Sequence, residues 1–255
     1  MGKTMERQSR GAEEIALAFR GMAKRFGAAA ALSPVDMEIQ RGEFFALVGM
    51  NGAGKTTLIK CLLDFCEPDS GAVDIFGISH RLTAARSRLA FLPERFVPPY
   101  YLTGEDFLRY MAALQSANHD RRQAEVVCRA LDLDVAALSR PVRAYSKGMT
   151  QKLGLAACLL SGRELLIMDE PASGLDPKAR ALLKARLRTL RERNTTLFFT
   201  SHSLADVGEI CDRMAVLHRG ELLFVGAPAE LCGIHGVEDL EAAYLACVAR
   251  SEARH

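Results

Sequence analysis

"GMNGAGKT", Gly49 to Thr56, decides how the rest of the chain is read. It fits the pattern G-x-x-x-x-G-K-[ST] in full, and the apolar run "EFFALVG" (43–49) leads straight into it. Gly49, Gly52 and Gly54 let the backbone curl until successive N–H groups converge on one anion. A helix expected from about Gly54 to Phe65 adds unpaired N–H groups and the positive end of its dipole. Lys55 then reaches β- and γ-phosphates, and the Thr56 hydroxyl is placed to hold Mg2+. A chance glycine-rich turn would not also need a strand before it and a helix after it.

Outward from this loop, the chain reads as α/β. "IALAF" (15–19), "AVDIF" (72–76), "LAFLPE" (89–94), "ELLIMD" (164–169) and "TTLFFT" (195–200) are strand candidates. Several are continuous apolar runs, the mark of strands covered on both faces in a parallel sheet. "RMAVLHRGELLFVG" (213–226) predicts a hairpin turning at Arg219-Gly220. From Leu102 to about Leu138 the pattern becomes helical, with Thr103 and Asp106 as a capping box. Phe107, Leu108, Met111 and Leu114 share one face there. Asp176-Pro177 starts another helix, to about Asn194, and two helical stretches fill 227–255. In the second of these, Leu240, Tyr244 and Cys247 share a face. Residues 1 to about 12 are polar and expected to be loose.

"LLIMDEP" (165–171) places two carboxylates at the end of a buried strand, where open α/β sheets bind ligands. Asp169 suits Mg2+. Glu170 suits a general base acting on water beside a γ-phosphate. An acidic pair after a strand can equally cap a helix; the complete phosphate loop favours the nucleotide reading.

A further stretch, "YSKGMTQKLG" (145–154), sets a Ser-Lys-Gly loop immediately before a helix that reads as buried. Ser146 can simply cap that helix, or the helix N-terminus can face a phosphate.

The phosphate loop, "SKG", "IMDEP" and "SGLDP", in that order, resemble the nucleotide-binding domain of an ABC transporter over about residues 13–226. The resemblance implies a P-loop ATPase core with a mostly parallel sheet, an N-terminal antiparallel β subdomain, and a helical insertion (about 98–150) carrying the signature loop. Residues 227–255 form a C-terminal helical tail. It implies ATP and Mg2+ as ligands, with Gly49, Asn51, Gly52, Ala53, Gly54, Lys55, Thr56 and Thr57 around the phosphates. Phe26, in "KRFG", matches the aromatic that stacks on adenine, and His202, in "TSHS", matches the switch histidine at the γ-phosphate. Asp176 matches the loop near the dimer seam. Glu94 stands where the family commonly has a Gln that touches Mg2+ and the attacking water. A carboxylate still binds Mg2+ but donates no hydrogen bond. The metal set is thus Thr56, Glu94 and Asp169; the catalytic set is Lys55, Glu170 and His202.

In the family the signature loop reads Leu-Ser-Gly-Gly-Gln. Here it is Tyr145-Ser146-Lys147-Gly148-Met149, so only Ser146 and Gly148 match. Variants of this form resemble those of export-type ATPases that work with separate permease chains. The resemblance implies that Ser146 and Gly148 serve the nucleotide bound by a second copy of the chain, so that one chain carries two half-sites.

Composition agrees with an intracellular globular protein. There are 33 basic and 31 acidic residues, net +2, so no nucleic-acid partner is expected. Basic residues on the helix from Lys178 read as a solvated face. Seven Cys without C-x-x-C spacing read as reduced and mostly buried thiols. No signal peptide is apparent, Glu6 breaks a myristoylation pattern, and no run approaches a membrane span. The location implied is cytoplasmic, on the inner face of the membrane through a permease. Two other readings stand: a soluble ABC-type ATPase acting on DNA or ribosomes, and a nucleotide-gated binding module with little turnover. The first usually brings two nucleotide domains or a long coiled-coil insertion. The second is disfavoured by intact Lys55, Asp169, Glu170 and His202.

Overall fold

The computed structural model describes residues 14–254. The expectation of a loose N-terminus lies outside them. Two sheets form the frame. A four-stranded antiparallel sheet runs in the order β2-β1-β4-β5, from β1 (Ile15–Phe26), β2 (Ala29–Gln40), β4 (Ser70–Ile75) and β5 (Ile78–Ser79). A six-stranded sheet runs β10-β9-β3-β8-β7-β6, from β3 (Phe44–Val48), β6 (Leu89–Leu92), β7 (Leu165–Met168), β8 (Thr196–Ser201), β9 (Arg213–His218) and β10 (Glu221–Gly226). Its pairs are parallel except β9 with β10.

The apolar runs explain the larger sheet. In β3, Phe44, Ala46 and Val48 enter one core while Phe45 and Leu47 enter another. Strand β8 splits the same way, with Leu197 and Phe199 on one side and Phe198 on the other. Successive side chains of a strand point to opposite faces, so a strand with two covered faces needs no polar residue. One core holds α1 (Lys55–Leu62) and the antiparallel sheet, joined through Phe198, whose ring lies 6.5 Å from Phe19 and 6.2 Å from Phe45. The other core holds the helices.

Those helices are α3 (Gly104–Leu114), α4 (Arg121–Ala130), α5 (Lys147–Leu160), α6 (Pro177–Arg191), α7 (Leu204–Ile210), α8 (Pro228–His235) and α9 (Leu240–Glu252); α2 (Thr83–Arg86) is a single turn. The stretch read as helical from Leu102 to Leu138 is therefore two helices, followed by 3-10 turns at Val135–Ser139 and Val142–Ala144. Thr103 caps α3 by accepting from the Asp106 N–H at 3.1 Å, and its hydroxyl donates to Asp106 Oδ2 at 2.7 Å. The acid thus bonds the capping hydroxyl, not the Thr103 N–H of a capping box. Phe107 and Leu108 are buried, but Leu114 is 62% exposed, because the helix ends there and turns away from the core.

Strand β2 was not legible as a separate element. Its Val35, Met37 and Ile39 are buried and alternate with Asp36, Glu38 and Gln40 on the solvent side. The helix expected over 54–65 stops at Leu62, since Asp64 adopts φ +61. Asp176 caps α6 through Ala179 N at 2.9 Å, with Pro177 at the first helical position. Several basic residues of α6 are paired: Lys178 with Asp132 at 2.6 Å, Lys184 with Glu209 at 2.9 Å, and Arg191 with Asp212. All seven cysteines are free, and Cys61, Cys128, Cys158 and Cys247 are buried. No helix of the described residues is long and apolar enough to cross a membrane.

Candidate functional site

Strands β3, β7 and β8 end on the same edge of the sheet, because they are parallel and in register: Val48 pairs with Ser201, and Met168 with Phe199. The loops that follow them meet around a cavity of about 500 Å3. Asn51, Gly52, Ala53, Gly54, Lys55, Thr56 and Thr57 line it with Glu94, Asp169, Glu170 and His202. Residues about 150 positions apart in sequence are thus brought to one place by strand register alone.

The glycine-rich loop is shaped by contacts that leave no room for side chains. A Cβ on Gly49 would collide with the Leu217 carbonyl oxygen. Gly54 has φ +110 and faces the Ala31 carbonyl, 2.8 Å from where a Cβ would sit. Both positions need glycine for space, and Gly54 also for its backbone. Lys55 is buried, and its ammonium donates to the carbonyls of Gly49 and, at 3.4 Å, Met50.

The acidic end is held by a residue that the motifs did not mark. Thr200 Oγ1 donates to Asp169 Oδ1 at 2.6 Å and accepts from the Glu170 N–H at 2.8 Å. Thr200 is fully buried on a strand that also carries buried Thr196 and Ser201, so its hydroxyl stands out only once β8 is placed beside β7. Burial pushes the Asp169 carboxyl above the ordinary carboxylate range. The Thr200 hydrogen bond opposes this, the Glu94 charge adds to it, and Lys55 opposes it. Glu170 stands in the left-handed region at φ +48, sparsely populated for a residue with a side chain and typical of active sites. Its Oε2 lies 2.8 Å from His202 Nδ1. A carboxylate can only accept, so Nδ1 carries the hydrogen and Nε2 is left for another partner.

Four expected residues do not line this cavity: Gly49, packed against the Leu217 carbonyl at the root of the loop, and three that lie further off. Phe26 ends β1, 55% exposed, with the Lys24 ammonium 5.4 Å from its ring. Ser146 caps α5 by accepting from Met149 N at 3.2 Å, and Gly148 sits in the first turn of that helix against the Gly174 carbonyl. Gln151 of α5 donates to the Pro171 carbonyl at 3.1 Å, tying this helix to the loop after Asp169-Glu170. Met50, Ala30, Ala31 and Arg219 line the cavity without having been anticipated.

The donor set suits a Mg2+-nucleotide. Among the described residues no group of three or more His, Cys, Asp or Glu could hold a metal by itself. Mg2+ does not require one, since it commonly takes one or two carboxylates and completes its shell with phosphate oxygens and water. Asp169, Glu94 and the Thr56 hydroxyl are hard oxygen donors lining the same cavity. The two like charges there would be relieved by a divalent cation.

A phosphate loop at the end of a parallel strand, with a buried Asp-Glu pair two strands away, defines a P-loop nucleotide-binding protein. The sequence profile of the ABC transporter family matches residues 32–173, and the chain belongs to that family. It is 41% identical over 207 residues to an ABC transporter ATP-binding protein of Synechocystis, covering 79% of this chain and 58% of that one. It is 34% identical over 219 residues to the Nod factor export ATP-binding protein I of Burkholderia lata, covering 84% and 71%. The match thus spans little more than half the length of the Synechocystis relative. Among solved structures, an ATP-binding subunit of an ABC transporter superposes with a TM-score of 0.84 at 29% identity, over 91% of this chain and 99% of that one. A dimeric ATP-binding cassette bound to ADP and Pi shares the fold, with a TM-score of 0.76 at 20% identity, over 83% and 98%.

Proposed function

We propose that the chain is the ATP-hydrolysing subunit of an ABC transporter. In this reading Mg-ATP binding draws two copies together, and hydrolysis powers substrate movement through a separate membrane permease. The working unit is residues 13–226, with a helical subdomain at about 98–150 and the helical tail 227–255. It acts at the inner face of the membrane, held there by the permease. The observation that carries the reading is the meeting of Lys55, Thr56, Asp169, Glu170 and His202 around one cavity. Export is the favoured direction: the Tyr-Ser-x-Gly-Met form of the signature loop and the similarity to Nod factor export proteins both support it.

The residues divide the chemistry between them. The curled backbone from Gly49 to Thr57 cradles the phosphates, and Lys55 adds a point charge at their far end. Bound Mg2+ would be held by Thr56, Asp169 and Glu94, and would supply neutralisation of the β- and γ-phosphate charge. Glu170 accepts the proton of the attacking water, a contribution of roughly 10^2–10^4 in rate. Its left-handed backbone, the Thr200 hydroxyl and His202 fix where its carboxylate points. Phe26 stacks on the adenine. Ser146 and Gly148 present the start of α5 to the γ-phosphate held by the second copy.

The test is phosphate release together with nucleotide binding. Wild-type chain should hydrolyse ATP only with Mg2+. Glu170→Gln should bind ATP and fail to hydrolyse it, and Lys55→Ala should lose binding by more than tenfold. Lys55→Ala binding within twofold of wild type would overturn the site assignment. Turnover at background in the wild type, with and without its permease, would favour a binding module instead.

A further inference from the structure

The nucleotide cavity has a cation in its wall that the phosphate-loop pattern does not explain. Arg219 stands in the two-residue turn between β9 and β10, with φ +48, beside Gly220 at φ +81. Gly220 donates its N–H to the Ala53 carbonyl at 2.9 Å, so this turn is pinned to the backbone of the phosphate loop. The Arg219 side chain is 74% exposed, and the residue lines the cavity together with Ala30 and Ala31.

Its partner comes from the last helix. Arg219 Nη2 lies 2.9 Å from Glu252 Oε1, and His218 Nε2 lies 3.4 Å from the same oxygen. Glu252 is the final residue of α9, where a carboxylate opposes the helix dipole. Helix stability therefore does not account for an acid at that place; the Arg219 guanidinium beside it does. Nor is α9 a loose tail. Ala243, Tyr244, Cys247 and Val248 are buried in the helical core. Burial pushes the Tyr244 phenol above its usual range.

We propose that Arg219 is a further nucleotide-contact residue and that Glu252 is its positioning residue, so that α9 completes the nucleotide site. This rests on the cavity being the nucleotide site. The sheet order decides which end of the nucleotide Arg219 meets. Strand β3 feeds the phosphate loop, β9 lies on one side of it, and β8 and β7 lie on the other. Asp169, Glu170 and His202 follow β7 and β8, so Arg219 approaches from the opposite side. Its guanidinium meets the α-phosphate and ribose, away from the γ-phosphate where bonds break.

Titration of a fluorescent ATP analogue into the full-length chain, with ATP and ADP as competitors, tests this. Arg219→Asn, which tolerates the left-handed backbone, should weaken ATP and ADP alike by about tenfold, the loss of one charge-assisted hydrogen bond. Arg219→Lys should recover part of the affinity. Glu252→Ala should weaken ATP about threefold in the wild-type background and have no further effect beside Arg219→Asn. A merely structural Glu252 would shift Tm and leave the KM for ATP alone. The proposal is overturned if Arg219→Asn binds ATP within twofold of a binding-competent wild type. It is also overturned if Glu252→Ala tightens ATP binding, or if the two losses add. A wild-type chain that binds no ATP would overturn the site reading itself.

Discussion

Thr200 and Asp169 share a hydrogen bond of 2.6 Å across neighbouring parallel strands, and the same hydroxyl takes the N–H of Glu170. One side chain on β8 therefore fixes the Asp169 carboxylate and the backbone of Glu170, both just past the end of β7. We predict that Thr200→Val, which keeps the shape, leaves a buried carboxylate oxygen and a buried N–H unpaired at a cost of ~1–3 kcal/mol each. With one such loss expressed in the transition state, kcat should fall by about 5–150-fold. Thr200→Ser should restore most of it. Steady-state phosphate release decides the matter, and a Val variant within twofold of wild type would remove Thr200 from the site.

Glu94 lines the cavity, and its charge acts on Asp169. Glu94→Gln should raise the Mg2+ concentration needed for half-maximal ATPase by several-fold, since one hard anionic donor is replaced by a neutral amide. Activity at saturating Mg2+ should survive. An unaltered Mg2+ titration curve would make Glu94 a bystander.

Ser146 and Lys55 should complement each other between chains. In the proposed dimer, Ser146→Arg and Lys55→Ala homodimers would each carry a defect in both composite sites and should be nearly inactive. In a covalently linked mixed dimer both defects fall in one site, and the other is wild type. ATPase activity should return to about half the wild-type value where sites act independently. Absence of rescue, with ATP still bound at the intact phosphate loop, would count against sharing of sites between copies.

Phe198 joins the two sheets, since its ring is fully buried between Phe19 and Phe45. Phe198→Ala should destabilise the fold by about 3–5 kcal/mol, transfer and cavity terms together. Urea unfolding measures this, and a loss under 1 kcal/mol would show that the interior collapses around the gap.

The sequence reading reached the phosphate loop, Asp169, Glu170 and His202 because each sits at a strand end within a dense local pattern. It missed Thr200, whose importance depends on β8 lying beside β7, a fact that no local window carries. It missed Arg219 for the same reason: the hairpin turn at Arg219-Gly220 was legible, but its contact with Ala53 joins segments far apart in the chain. Strand β2 escaped notice although "VDMEIQ" alternates cleanly, because Pro34 and the alanines before it mask the strand's start. In α3 the pattern placed Phe107 and Leu108 correctly but extended one turn too far, to Leu114, since periodicity does not say where a helix leaves the core.

The place of β3 in the sheet has a consequence for biosynthesis. Its neighbours are β8 and β9, so Phe44–Val48 leave the ribosome long before residues 196–218 that will flank them. Until those arrive, an apolar strand stands with both edges open, a target for chaperones and for association with other nascent chains. Gly49 meanwhile lacks the Leu217 carbonyl against which its loop is shaped. A ribosome stalled before residue 196 would therefore hold a chain with every residue of the phosphate loop and no grip on phosphate.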